Sequence, residues 1–195
     1  AARWPAPLKV AVNLSGAQVL EPGFTAKVER ALSENGLPAK RLELELKEST
    51  LLPDAERIFD VLHELRQLGC NIVLDDFGTG ASSLAQLRRF RFSSVKIDRS
   101  FVRGAARGNA EELAIVRAVV AMGESIGMTT TAEGVESAEE AVLMRHLGCG
   151  RLQGFYYGRP MAGVEALALA CRRTIAAAGS EHTVLIKPAG QSAAA

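Results

Sequence analysis

The sequence has few cysteines and few histidines, and both shortages exclude whole classes of chemistry. Its three cysteines, Cys70, Cys149 and Cys171, are odd in number and far apart. Neither a disulfide framework nor a paired-thiolate zinc or redox motif fits that spacing, so reduced thiols are expected. The histidines His63, His146 and His182 stand alone, with no second ligand at metal spacing. No apolar run is long enough to span a bilayer, and no secretory leader is read at the start. A cytoplasmic location is therefore expected, compatible with membrane anchoring of a longer parent protein. The net charge is only +1, and the densest basic cluster, Arg88, Arg89 and Arg91 interleaved with Phe90 and Phe92, is short. It reads as a solvated helix end entering a strand, and no nucleic-acid partner is expected. The glycines of FGTG lack the lysine that a P-loop needs.

What is present is a regular alternation. With 195 residues and 48% hydrophobic content the chain can bury one core. Strands are expected at 8–14, 41–47, 71–75, 94–98, 128–132 and 151–154. Between them, Ile58, Val61, Leu62 and Leu65 recur at helical spacing, as do Leu113, Val116, Val119 and Val120. Ser15 with Gln18, Asn109 with Glu112, and Ser137 with Glu140 have capping-box spacing, while Gly69 and Gly127 stand where helices should stop. Six β-α repeats imply parallel strands with crossover helices, in either an open doubly wound sheet or a closed barrel. A barrel needs eight strands, so that reading expects two more upstream of residue 1, and the opening AARWPAPLKV resembles the tail of an earlier element. The domain is expected to occupy 1–178, with 179–195 as a C-terminal tail.

Charge sits where parallel strands, covered on both faces, tolerate it least. Asn13 ends the first strand; Glu43, Glu45 and Lys47 share one face of the second; Asp75 and Asp76 end the third. Lys96 and Asp98 share a face of the fourth, Glu133 follows the fifth, and Gln153 lies at the sixth. Singly, each has a plain structural explanation, as a cap, an edge glutamate or an ion pair. Together they mark the C-terminal rim, where α/β folds build their sites. Several carboxylates and an amide, without histidine or thiolate, form a hard oxygen site suited to Mg2+ or Mn2+. Adjacent aspartates can serve two such ions, a recurring device for phosphodiester hydrolysis. Lys96 alone would also suit a Schiff base, but the surrounding carboxylates argue against it.

The motifs VNLS (12–15), LELKES (44–49), LDDFGTG (74–80), VKIDRSF (95–101), TAEGVE (131–136) and LQGFYYGRPM (152–161) occur in the order of the EAL domain family, which this chain resembles over about residues 8–170. The resemblance implies an α/β (β/α)8 TIM-type barrel, its first strand antiparallel, with the first two strands missing from this chain. It implies hydrolysis of cyclic di-GMP to linear pGpG, with two Mg2+ or Mn2+ ions, in bacterial second-messenger signalling. Carried onto this sequence, Asn13, Glu45 and Asp75 become metal ligands, with Asp76 serving the second metal. Lys96 would help hold the attacking water, Glu133 would be general base or metal partner, and Gln153 would lie near the second metal or substrate. Glu48 would tie down the loop from Phe77 to Ser83, with Gly78, Thr79 and Gly80, which in the family closes on the site and contributes to dimer contacts. Asp98 would support the site. A homodimer, and an upstream sensory or GGDEF domain in the parent, are implied as partners.

The chain also departs from the family. The strand that carries Glu-Ala-Leu in the family, with its ligand glutamate and phosphate-binding arginine, has no counterpart here, so weak or no activity is expected of a chain that starts at Ala1. The alternative reading is a catalytically impaired module that binds cyclic di-GMP or another protein. Lys47 stands where the family often has threonine, Ala81 where an aromatic residue is common, and Gly150 where an acidic residue is frequent.

Overall fold

A computed structural model describes Trp4 and residues 8–51, 55–78, 90 and 92–176, with side chains through 170. Six strands alternate with helices: β1 Val10–Leu14, α1 Gly16–Val19, α2 Phe24–Glu34, β2 Leu42–Lys47, α3 Ala55–Gln67, β3 Asn71–Phe77, β4 Ser94–Ile97, α4 Arg99–Ala106, α5 Ala110–Ile126, β5 Thr129–Ala132, α6 Ala138–His146, β6 Arg151–Leu152 and α7 Gly163–Ala176. All five strand pairings are parallel, and the spatial order β1-β2-β3-β4-β5-β6 is the order in sequence. The described helices that lie between consecutive strands are thus crossovers to the neighbouring strand, the connectivity of a barrel wall rather than of a doubly wound sheet.

Curvature follows from one ion cluster. Flat, β2 and β6 would lie about 19 Å apart, four strand spacings. Yet Arg151 on β6 donates from Nη1 to Glu43 Oε1 on β2 at 3.1 Å, and Lys9 Nζ meets the same oxygen at 3.1 Å. The sheet must curl for these groups to meet, with Glu43 on its inner face. Glu43 is only 4% exposed, so two cations compensate a carboxylate taken out of water. The inner face is therefore partly ionic instead of a stack of branched aliphatic residues.

The outer face of the sheet packs on the helices. Ile58, Phe59, Leu62 and Leu65 of α3 are buried against the leucines of β2 and β3, and Val116, Val119 and Val120 of α5 cover the neighbouring strands. Each such side chain contributes about 1.5–3 kcal/mol of burial free energy. Val61 and Leu113, expected in these stripes, lie at their margins, partly buried. Ser15 and Ser137 form complete capping boxes, and Gly127 closes α5 in the left-handed region at φ 72°. Asn109 caps α5 through the Glu111 N–H, so the expected box with Glu112 is not formed. Glu112 instead turns its carboxylate onto Gly104 of α4, where a Cβ would collide with it.

Cys70 and Cys149 are free and buried, and burial pushes the Cys149 thiol up to about 11, in keeping with reduced, unreactive thiols. Cys171, His182 and the basic cluster around Arg88 lie outside the described side chains. Among the described residues no helix is long and apolar enough to cross a membrane.

Candidate metal and phosphodiester site

The expected rim residues converge from four strands. The ladder places Asn13 beside Glu45 and Lys47 beside Asp75, and aligns Lys96 with Thr131. Strand β4 inserts Lys96, 4% exposed, into the curl of the sheet. Its ammonium lies 2.9 Å from Glu45 Oε2, 3.4 Å from Asp75 Oδ1, and in close contact with Glu133 Oε1. Glu133 is delivered by the residue following β5, whose N–H bonds to the Ile97 carbonyl. Three carboxylates therefore share one lysine.

Asp75 and Asp76 are held together by a break in the ladder. Leu74 pairs with Val95 and Phe77 with Ile97, so two residues of β3 oppose the single Lys96 of β4. This is a β-bulge, which re-aims side chains that would otherwise point to opposite faces. Asp76 takes φ 53°, the only non-glycine with positive φ among the described residues. Aspartate tolerates that region better than most residues, at a cost of order 1 kcal/mol. As a result Asp75, Asp76 and Glu133 offer carboxylate oxygens within 4.8 Å of one another. Across the rim, Lys47 Nζ pairs with Asp76 Oδ2 at 2.7 Å.

The electrostatics follow from burial and crowding. Burial raises the Glu133 carboxyl to about 7, against the opposing pull of Lys96. Glu45 is raised by burial too, again with Lys96 opposing and Asp75 and Glu43 adding to the rise. Burial works against the charge on Lys96, but Glu133, Glu45 and Asp75 outweigh it and hold the ammonium well above the usual lysine range. The hydrogen bond and charge of Asp76 raise Lys47 as well. Asp75 Oδ1 is buried and has no hydrogen-bond partner, although Lys96 lies within ion-pair range. Four carboxylates against two lysines leave two surplus negative charges when all are ionised. A buried orphan oxygen amid excess negative charge and oxygen-only donors fits a hard divalent cation.

The remaining candidates have distinct settings. Glu48, 2% exposed, accepts from the Gly78 N–H at 3.0 Å through Oε2, anchoring the first residue after β3. Gly78 has φ 95° and lies against the Phe101 ring, so a side chain there would be strained and crowded. Thr79 and Gly80 lie outside the described residues. Asp98 accepts from the Ser100 N–H at 2.8 Å and caps α4, the local role its position before a helix demands. Asn13 is exposed at the end of β1. Gln153 continues past β6 through backbone bonds to Ala132 and Val135, and at the next residue, Gly154, a Cβ would fall on the Val135 backbone.

Sequence reasoning missed the bulge and the pairing of Lys47 with Asp76. The ladder neighbours of Lys47 hold the signal for the second, since a lysine at the end of β2 faces the aspartates of β3 once the register is known.

The EAL domain family model matches residues 1–160. The bifunctional diguanylate cyclase/cyclic di-GMP phosphodiesterase MucR of Pseudomonas aeruginosa is 42% identical over 159 residues, 82% of this chain and 23% of MucR. The cyclic di-GMP phosphodiesterase PdeR of Escherichia coli K12 is 37% identical over 157 residues, 80% of this chain and 24% of PdeR. The chain thus spans about a quarter of the length of these relatives. A solved structure of the MucR phosphodiesterase in complex with c-di-GMP superposes with a TM-score of 0.77 at 41% identity, covering 82% of this chain and 64% of that one. A manganese/cyclic di-GMP complex of BlrP1 from Klebsiella pneumoniae gives a TM-score of 0.70 at 31% identity, covering 75% of this chain and 38% of that one.

Proposed function

The chain belongs to the EAL domain family, and on that premise we propose that its rim site hydrolyses one phosphodiester bond of cyclic di-GMP to give linear pGpG. The observation that carries this reading is the Lys96-centred cluster, with its orphaned Asp75 oxygen and the bulge that brings Asp76 alongside. The relatives add support: MucR has been solved with c-di-GMP, and BlrP1 with manganese and the same dinucleotide.

Glu45, Asp75, Asp76 and Asn13 would hold Mg2+ or Mn2+, with two ions as the proposed number. When bound, such cations polarise a phosphoryl oxygen and lower the pKa of a coordinated water. Lys96 keeps its proton throughout the physiological range, so it acts as a fixed positive charge that orients Glu45, Asp75 and Glu133 and faces the attacking water. Glu133, raised to about 7, can accept a proton from that water near neutral pH. Glu48 holds Gly78, and Gly78, Thr79 and Gly80 are proposed to support substrate binding. Asp98 supports the site indirectly, by fixing the start of α4 next to Lys96. Gln153 serves the second ion or the substrate.

We also propose the domain bounds 1–178 with a tail at 179–195, a homodimer, a cytoplasmic location, and a sensory or GGDEF domain upstream in the parent protein. Conversion of cyclic di-GMP, followed by chromatography in Mn2+ or Mg2+, tests the activity in this chain and in the full-length parent. Parent activity is expected to vanish on chelation and to fall about 100-fold in Glu133→Ala, as for loss of a general base. A parent inert with both metals would contradict the proposal.

A further inference from the structure

Lys47 stands outside the catalytic roles assigned above, yet it is placed against one of the proposed ligands. It ends β2 on the same face as Glu43 and Glu45, and its Nζ is 2.7 Å from Asp76 Oδ2. The two lysines of the rim are held differently. Lys96 is buried among three carboxylates, with 5% of its side chain exposed, whereas Lys47 is 63% exposed and its partner Asp76 28%. An exposed pair of this kind is loosely held, because water screens it and a long side chain must be ordered to make it. Asp76 itself is fixed, since the bulge and its left-handed backbone commit its carboxylate to the rim.

From this geometry we infer that Lys47 is a tethered monovalent cation that competes with a divalent ion for Asp76. The inference rests on the reading of the rim as a divalent-cation site. An ion that takes Asp76 Oδ2 must displace the ammonium, and a divalent charge at that oxygen repels an ammonium left within a few ångströms. Lys47 has the exposure to swing into solvent, while Lys96 does not. The ion served by Asp76 is therefore the more weakly bound of the two, and the ion served by Asp75 and Glu45 is the tighter. Loading of the second position becomes sensitive to the concentration of free divalent metal.

The test is Mn2+ binding to the full chain by calorimetry and by electron paramagnetic resonance of free Mn2+, without substrate. Wild type is expected to show a tighter and a weaker site. Lys47→Gln should tighten the weaker site about 2- to 5-fold, the size of one exposed charge interaction, and leave the tighter one unchanged. Lys47→Arg keeps the charge and should bind like wild type, which separates loss of charge from disturbance of the strand end. Asp76→Asn should abolish the weaker site alone. Two sites unchanged by Lys47→Gln would overturn the role of Lys47 while leaving the metal reading intact. Absence of any Mn2+ binding to the wild-type chain would overturn both.

Discussion

Replacing Lys96 by methionine is expected to lower the stability of the metal-free protein by about 3–5 kcal/mol at pH 8, the usual cost of removing one partner from a buried ion pair. Lys96 is 4% exposed and meets Glu45, Asp75 and Glu133. Methionine fills a similar volume, so little of the loss comes from packing. What remains is three carboxylates in a space with little water, which repel one another and have lost their common counter-charge. Chemical unfolding in the presence of chelator measures the difference. The same variant should lose much less at pH 5, where burial has already protonated Glu133. A loss that is equal at both pH values would mean that Lys96 matters as a packing element and not as a charge.

The second large effect is the pH dependence of the metal-free protein. The Glu133 carboxyl is raised from 4.5 to about 7 in the folded state. A raised carboxyl holds its proton more tightly when folded than when unfolded. Its contribution is therefore complete below the unfolded value of 4.5 and is lost as pH climbs through 7. Between pH 5 and pH 8 the difference amounts to about 2–3 kcal/mol, so the protein becomes less stable relative to a variant without this group. Lys96 stays charged across this window and adds no slope of its own. Urea unfolding of wild type and Glu133→Gln at several pH values, with chelator present, reads the effect as a gap that opens in favour of the variant above pH 6. Parallel profiles would show that the carboxyl is not perturbed.

Much of this site is legible in the sequence because it depends on local rules. β-branched and leucine-rich runs place all six strands to within a few residues, and the caps Ser15, Asn109 and Ser137 mark helix starts. Parallel strands also make charge conspicuous, which is why Glu45, Asp75, Lys96 and Glu133 stand out before any coordinates are known. What is not legible depends on register and closure. The bulge at Asp75 and Asp76 exists only as a mismatch between two ladders, Leu74 with Val95 and Phe77 with Ile97. The contact between Glu43 and Arg151 spans 108 residues and requires the sheet to curl. Asp98 shows a local rule at work, since a short polar residue after a strand and before a helix is a cap, and the structure gives it that role.

These points bear on mechanism. The rim is assembled from strand ends backed by the hydrophobic layer on their outer face, and Gly78, the residue after β3, is tied by Glu48. Side chains carried on such strand ends suit the proposed positioning of a phosphodiester for in-line attack.

Anomalous diffraction at the manganese edge, from crystals of the full-length protein grown with Mn2+, tests the central claim most directly. The account predicts a peak about 2.0–2.3 Å from carboxylate oxygens of Asp75 and Glu45, with a second, weaker peak at Asp76 and Lys47 turned away into solvent. No peak at the rim under saturating Mn2+, with Lys47 still paired to Asp76 and Asp75 Oδ1 still without a partner, would contradict it.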